Sequence, residues 1–142
     1  GTHQDGKFSA YVQPTLFTDA EPEYIIPANY NLITLVGEHS GRQSLFGQGA
    51  GRYPTAYNVV QDCVDLLYGR GFYSFYCPYG EKVSVDNSAA MSYYIRGGNW
   101  PADKVADRWG NAVITTPVSV ESVHAWLKEN PDAFIAAFSA EA

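Results

Sequence analysis

The stretch Gly47-Gln48-Gly49-Ala50-Gly51-Arg52-Tyr53-Pro54-Thr55-Ala56-Tyr57-Asn58-Val59-Val60-Gln61-Asp62 joins a glycine-rich loop to a legible helix start. Gly47, Gly49 and Gly51 alternate with other residues just after the apolar pair Leu45 and Phe46, as where a strand runs into an open loop. Glycine permits positive φ there and lets a ligand approach the backbone without a Cβ in the way. Pro54 suits the first turn of a helix, where its missing N–H costs nothing. Ala56, Val59, Val60, Cys63, Val64 and Leu67 then recur at three- and four-residue spacing, so one stripe of the helix is apolar and is expected to face a core. Gly69 stands where a left-handed C-cap would sit. The loop thus presents N–H groups and the positive end of a helix dipole, a combination suited to anionic or carbonyl-bearing ligands. It is neither the G-x-G-x-x-G dinucleotide fingerprint nor a P-loop, which needs G-K-[ST]. On the residues alone, two readings stand side by side: a ligand contact, or a strand-to-helix turn that uses glycine for its geometry.

The same block resembles the end of the catalytic domain of homoserine dehydrogenases, where a G-x-G-A-G loop is followed by P-T-A and a helix with two valines and an aspartate. Gly47, Gly49, Ala50, Gly51, Pro54, Thr55, Ala56, Val59, Val60 and Asp62 stand in those places. Upstream, Asn29-Tyr30-Asn31-Leu32-Ile33 and Val36-Gly37 are similar to the family's asparagine-containing strand and its following glycine. The resemblance runs from Lys7 to Tyr68. It implies an oxidoreductase that interconverts aspartate semialdehyde and homoserine, in threonine and methionine biosynthesis, with NAD or NADP. It also implies that Gly49, Ala50 and Gly51 lie against the nicotinamide end of that cofactor, Gly51 foremost, and act through their backbone. The chain begins Gly1-Thr2 without methionine, as expected of a piece of a longer parent. The dinucleotide-binding domain and the catalytic lysine and acidic residues that the resemblance implies would lie outside these 142 residues, so the piece alone is expected to be inactive.

Composition bounds the rest. A chain of 142 residues can bury a sizeable core, in one domain or two small ones. The 46% hydrophobic and 17% charged content is that of an ordinary folded protein, and an aromatic fraction of 15% supplies large amphipathic side chains to a core or an interface. A net charge of −6 argues against a nucleic-acid partner, which would need a basic patch. No apolar run is long enough for a membrane span and no signal peptide is visible, so a cytoplasmic protein is expected. Cys63 and Cys77 are expected as two buried, reduced thiols, and no Cys/His spacing reads as a metal site.

Taken in order, Phe8 to Gln13 alternates with period two and is expected as a strand broken at Pro14. Asp19, Glu21 and Glu23 lie in a loop from Thr18 to Pro27 and are expected to be solvated. Asn31 to Gly37 is nearly continuously apolar, as expected of a central strand, and a polar turn at Glu38 to Gly41 returns the chain toward the glycine loop. Gly69 to Gly71 reads as a hinge, and the aromatic run Phe72 to Tyr79 as a packing or dimer surface. Beyond a polar connector at Asp86 to Ala90, the pattern predicts a strand at Ser92 to Arg96 and a helix at Pro101 to Trp109. It continues with a strand at Ala112 to Thr115, a helix capped by Ser119 and running to Glu129, and a last strand at Ala133 to Phe138.

The fold class expected is therefore α+β. A mixed or antiparallel sheet with packed helices over residues 1–85 would be the C-terminal part of the catalytic domain. A small strand-helix-strand-helix-strand module would follow over 86–142. That tail resembles the regulatory ACT domain in its Tyr93-Tyr94-Ile95-Arg96 opening but lacks one strand, and Gly97-Gly98-Asn99-Trp100-Pro101 replaces the family's turn. A degenerate ACT-like module and a packing extension both remain open. None of the histidines builds a catalytic constellation: His3 is expected in a disordered terminus, His39 on a turn, and His124 at a surface. The expected partners are a small-molecule substrate in the parent and a second copy in a homodimer. The alternatives to an enzyme fragment are a stand-alone amino-acid-binding regulatory module and a dimerisation domain.

Overall fold

The computed structural model describes residues 1–4, 6–70 and 84–139, with Gln4 through its backbone alone. In chain order its elements are β1 (Thr2–Gln4), β2 (Lys7–Ser9), β3 (Thr15–Leu16), a 3-10 turn at Pro22–Ile25, β4 (Tyr30–Gly37), β5 (Gly41–Gln48) and α1 (Arg52–Leu67). There follow β6 (Ser84–Val85), β7 (Ala90–Met91), β8 (Tyr93–Arg96), a 3-10 turn at Ala102–Lys104, β9 (Val105–Trp109), β10 (Ala112–Thr115), β11 (Val118–Ser119), α2 (Val120–Glu129) and β12 (Phe134–Phe138). The chain divides into two compact units, Gly1–Thr18 with Tyr79–Ala142, and Asp19–Pro78. The boundary expected between residues 85 and 86 falls inside the first of these, because the amino-terminal strands pair with the carboxy-terminal ones. The aromatic run at 72–79, Gly71 and Cys77 lie outside the described residues.

In the first unit a five-stranded sheet runs in the order β3-β12-β8-β10-β9. All its pairs are antiparallel except β3 with β12, which joins Thr15 to Ala137 and Leu16 to Phe138. The helix expected over Pro101 to Trp109 is not formed. A single 3-10 turn at Ala102–Lys104 gives way to β9, whose Trp109 pairs with Ala112 across the two-residue turn Gly110-Asn111. Gly110 has φ +59, and a positive φ in a two-residue loop matches the right-handed twist of the strands it joins. This supplies the strand that the sequence pattern left unaccounted for. From β8 onward the order is strand, 3-10 turn, strand, strand, the two-residue strand β11, helix, strand, with β8 and β9 flanking β10 and β12 beside β8.

Ser119 caps α2 as expected: its Oγ accepts the Ser122 N–H at 3.2 Å, and the two hydroxyls lie 2.7 Å apart. Ser122 therefore takes part in the cap at the position where a capping box would have Glu or Gln. The helix buries Val120 and Val123, and Val123 joins Tyr93, Ile95, Val118, Ile135 and Ala137 in the core. Trp100 and Trp126 pack edge to face against it, with centroids 5.1 Å apart. The buried Tyr93 N–H is satisfied by Thr115 Oγ1 at 3.0 Å, which explains a buried threonine at the end of β10.

The amino terminus is ordered rather than loose, since β1 pairs with β2 and places His3 opposite Phe8. The strand expected over Phe8 to Gln13 stops at Ser9. Beyond it Ala10 donates to Asn87 Oδ1 at 2.8 Å and Ser9 Oγ accepts from Ala89, so side chains replace the backbone ladder. Lys7 and Asp86 pair at 3.3 Å where β2 meets β6.

In the second unit β4 and β5 form a two-stranded antiparallel hairpin in full register from Tyr30↔Gln48 to Gly37↔Gly41, closed by Glu38-His39-Ser40 and by Gly41 at φ +65. The expectation of a central strand is thus corrected: among the described residues β4 has one neighbour, and Ile33, Leu35 and Val36 are all exposed. Its apolar run is that of a strand built to be covered on both faces, but the described residues cover neither completely. The same holds for α1. Its stripe is present, yet the helix buries no residue, Val60 is 61% and Leu67 86% exposed, and Cys63, expected to be buried, is exposed. Tyr68 and Gly69 close the helix, with Gly69 at φ +69 in the left-handed cap expected of it.

Candidate functional site

The glycine stretch begins within the last strand of the hairpin and ends at the residue before a helix, and the glycines stand in different surroundings. Gly51 is the N-cap of α1 with φ +118 and ψ 154, a conformation that a side chain makes costly. Its carbonyl accepts the Thr55 N–H at 3.1 Å, and no side chain caps the helix, which leaves first-turn N–H groups facing outward. At Gly49 the Asn31 carboxamide occupies the space into which a Cβ would project, so a side chain there requires that exposed carboxamide to move aside. Gly47 lies in β5, directly opposite Asn31; its φ is not positive, and nothing lies within 4 Å of where its Cβ would be.

Ala50 is held by a side chain that sequence reasoning did not single out. Asn29 Nδ2 donates to the Ala50 carbonyl at 3.1 Å, tying the loop back to the residue before β4. Gly49, Ala50 and Gly51, the positions expected to touch a cofactor, are all exposed in one loop. The backbone conformation at 51 accounts for its glycine, and what the loop offers a ligand is backbone N–H groups. Asn31 stands beside them with its carboxamide unpaired among the described residues and exposed. Because opposite residues of a ladder share a face, Asn31, Ile33, Leu45, Gly47 and Gly49 line one side of the hairpin. On the other side Tyr30 stacks on Phe46 at 4.9 Å, and Gln48 Nε2 donates to the Tyr30 hydroxyl at 3.0 Å. On the first face Gly47 leaves room over the strand, Ile33 and Leu45 give apolar contact, and Asn31 can both donate and accept.

Of the carboxylates expected to be solvated, Asp19 is exposed, whereas Glu21 and Glu23 are drawn into the fold. Glu21 is 6% exposed. Glu23 accepts the Thr34 hydroxyl at 2.5 Å, and Arg42 Nη2 donates to both of its carboxylate oxygens at 2.8 Å. The Thr34 hydrogen bond is the main cause that holds the Glu23 carboxyl below the ordinary glutamate range. Desolvation opposes it, while Glu23's own backbone N–H and Arg42 add to it. The cluster pins the 3-10 turn to the hairpin and is structural. Among the described residues no group of three or more His, Cys, Asp or Glu is placed to hold a metal, and no helix is long and apolar enough to cross a membrane.

The first unit has a shallow concavity of about 430 Å³. Val12, Pro14, Leu127 and Ile135 form its apolar walls, and Gln13, His124 and Lys128 are its polar groups. Gln13 Oε1 lies 3.1 Å from His124 Nε2 and accepts the Tyr93 hydroxyl at 3.2 Å, which orients the imidazole. Burial is the main cause that pushes the Tyr93 hydroxyl above the ordinary tyrosine range.

Residues 2–64 match the model of the homoserine dehydrogenase family. Homoserine dehydrogenase of Bacillus subtilis is 38% identical over 65 residues, 45% of this chain and 15% of that protein. Homoserine dehydrogenase of Corynebacterium glutamicum is 38% identical over 65 residues, 44% of this chain and 15% of that protein. The matched stretch thus spans about a seventh of the length of these relatives. No solved structure matches the chain.

Proposed function

We propose that this chain is the carboxy-terminal part of a homoserine dehydrogenase, which interconverts aspartate semialdehyde and homoserine with NAD or NADP. The observation that carries the reading is that the family region covers the whole hairpin, glycine loop and most of α1, the part of the chain with a site-like geometry. The cofactor, when bound, supplies or accepts the hydride. The residues of this chain bind and orient: Asn29 fixes the Ala50 carbonyl, Gly51 turns the backbone into α1, and the N–H groups of Gly49 to Gly51 border the cofactor. The lysine and acidic groups that move protons belong to polypeptide outside these residues, so the chain alone is catalytically silent. Residues 1–85 are read as catalytic-domain sequence and 86–142 as the attached module. The parent is read as a cytoplasmic homodimer, and the exposed apolar residues of β4, β5 and α1 support a partner surface.

The strand order β12-β8-β10-β9 with α2 supports an ACT-like reading of the module, and the concavity with His124 and Lys128 supports a second function there, binding of an amino-acid carboxylate. Thermal midpoints with threonine, methionine or lysine test it; no shift at millimolar ligand removes it.

The primary test is a spectrophotometric assay of the full-length protein with homoserine and NAD or NADP. Homoserine-dependent reduction of the cofactor is expected from the full-length protein and none from residues 1–142 alone. A full-length protein that binds neither cofactor and turns over no homoserine removes the reading.

A further inference from the structure

We infer that residues 10–16 are a releasable strap, latched by Gln13, which fastens the family-matched stretch to the carboxy-terminal module and can leave β12 while the sheet behind it stays folded. The inference requires neither the enzyme reading nor a ligand in the concavity.

By sequence the strap belongs to residues 2–64, the stretch that matches the family model, yet it lies in the first unit with residues 79–142. Its backbone is held at scattered points. Ala10 donates to Asn87 Oδ1, the Pro14 carbonyl accepts the Ala137 N–H at 2.9 Å, and the Leu16 carbonyl accepts the Ser139 N–H at 3.1 Å. Between them Val12 is 98% exposed, and β3 is two residues long. So short a strand at a sheet edge buries little and belongs to the parts of a fold that open locally. Ser139, at the end of this seam, has a buried hydroxyl without a hydrogen-bond partner among the described residues, so the closed seam is incompletely satisfied.

What closes the seam is one side chain. Gln13 Nε2 lies 3.2 Å from Met91 Sδ, and a thioether can only accept, so the amide nitrogen faces the sulfur and Oε1 faces away from it. There Oε1 accepts the Tyr93 hydroxyl at 3.2 Å and lies 3.1 Å from His124 Nε2, which therefore carries the hydrogen. One carboxamide thus ties the strap to β7, β8 and α2, across sequence separations of 78, 80 and 111 residues. The concavity depends on the same latch, because Val12, Gln13 and Pro14 wall it on one side and His124, Leu127 and Ile135 on the other. A ligand that touches both walls binds the latched form alone, so occupancy and latching are linked.

The alternation along β12 supplies an internal control. Ala137 and Ser139 direct their N–H groups to the strap, whereas Phe138 between them donates to the Ser92 carbonyl at 3.0 Å. Amide exchange followed by NMR on the 142-residue chain reads the three separately. In Gln13→Leu, exchange at Ala137 and Ser139 is expected to accelerate about tenfold or more, with Phe138 and the interior of α2 unchanged. Tyr93→Phe keeps the ring in the core and removes one of the bonds to Gln13, and should accelerate the same two amides by less. Equal acceleration at all three amides overturns the inference, because Gln13 is then an ordinary part of the core and the strap does not separate. Unchanged exchange at Ala137 and Ser139 also overturns it, since the seam is then held elsewhere. If Gln13→Leu fails to fold, the same split between Phe138 and its two neighbours in Tyr93→Phe decides.

Discussion

Glu23 shows how a surface carboxylate becomes part of a fold. The hydrogen bond from Thr34, with Arg42 on both oxygens, holds its folded-state pKa below the unfolded value. The ionised form is therefore favoured by folding, and the stability it contributes is complete above the ordinary glutamate range. That contribution is lost as pH falls through the lowered folded value. Hydrogen exchange at the β4 and β5 amides should accelerate as pH falls from about 5 to about 3, after correction for intrinsic rates, and Glu23→Gln should remove most of that dependence. An unchanged pH dependence in Glu23→Gln would assign the loss to another group. Composition and turn chemistry could not reveal this cluster. The sequence places Glu23, Thr34 and Arg42 at 11- and 19-residue separations, and only the hairpin register brings them together. The same register unites Asn31 with Gly47 and Gly49, so the glycine motif was legible in the sequence but its surroundings were not.

At the scale of elements, the places where period and punctuation agreed were legible. The hairpin turn, the start of α1 after Gly51, the Gly69 cap, the Ser119 cap and the last strand are all found. The helix expected at Pro101 to Trp109 fails because Ala102, Val105, Ala106 and Trp109 fit a helical stripe, while Gly110-Asn111 also makes a two-residue hairpin turn. Pairing of β9 with β10 decides the competition, and local spacing does not encode that. Burial separates the two helices in the same way. Val123 in α2 is fully buried, and Val123→Ala should cost the first unit about 2 kcal/mol in urea denaturation followed by tryptophan fluorescence. Val60→Ala in α1, at a site 61% exposed, should cost the isolated chain less than about 0.5 kcal/mol. Equal costs would mean that the α1 stripe is covered in solution.

That contrast becomes a statement about the molecule. The stripe Ala56, Val59, Val60, Cys63, Val64 and Leu67 has the spacing of a core-facing helix, but α1 buries no residue among those described. A 16-residue helix without a packed face is marginal in water, because nucleation is unfavourable and most helical stability in proteins comes from tertiary burial. The matched stretch, which includes most of α1, is about a seventh of the length of those relatives, so a covering surface elsewhere in a longer polypeptide is consistent with the proposed parent. Amide exchange measured by mass spectrometry should therefore be fast across α1 in the isolated chain. There it should be much slower across α2, whose Val120 and Val123 are buried. In the full-length protein α1 should become protected to a degree comparable with α2. Strong protection of α1 in the isolated 142 residues would show that its stripe finds a partner within the chain or in a second copy, and sedimentation would then separate those two cases.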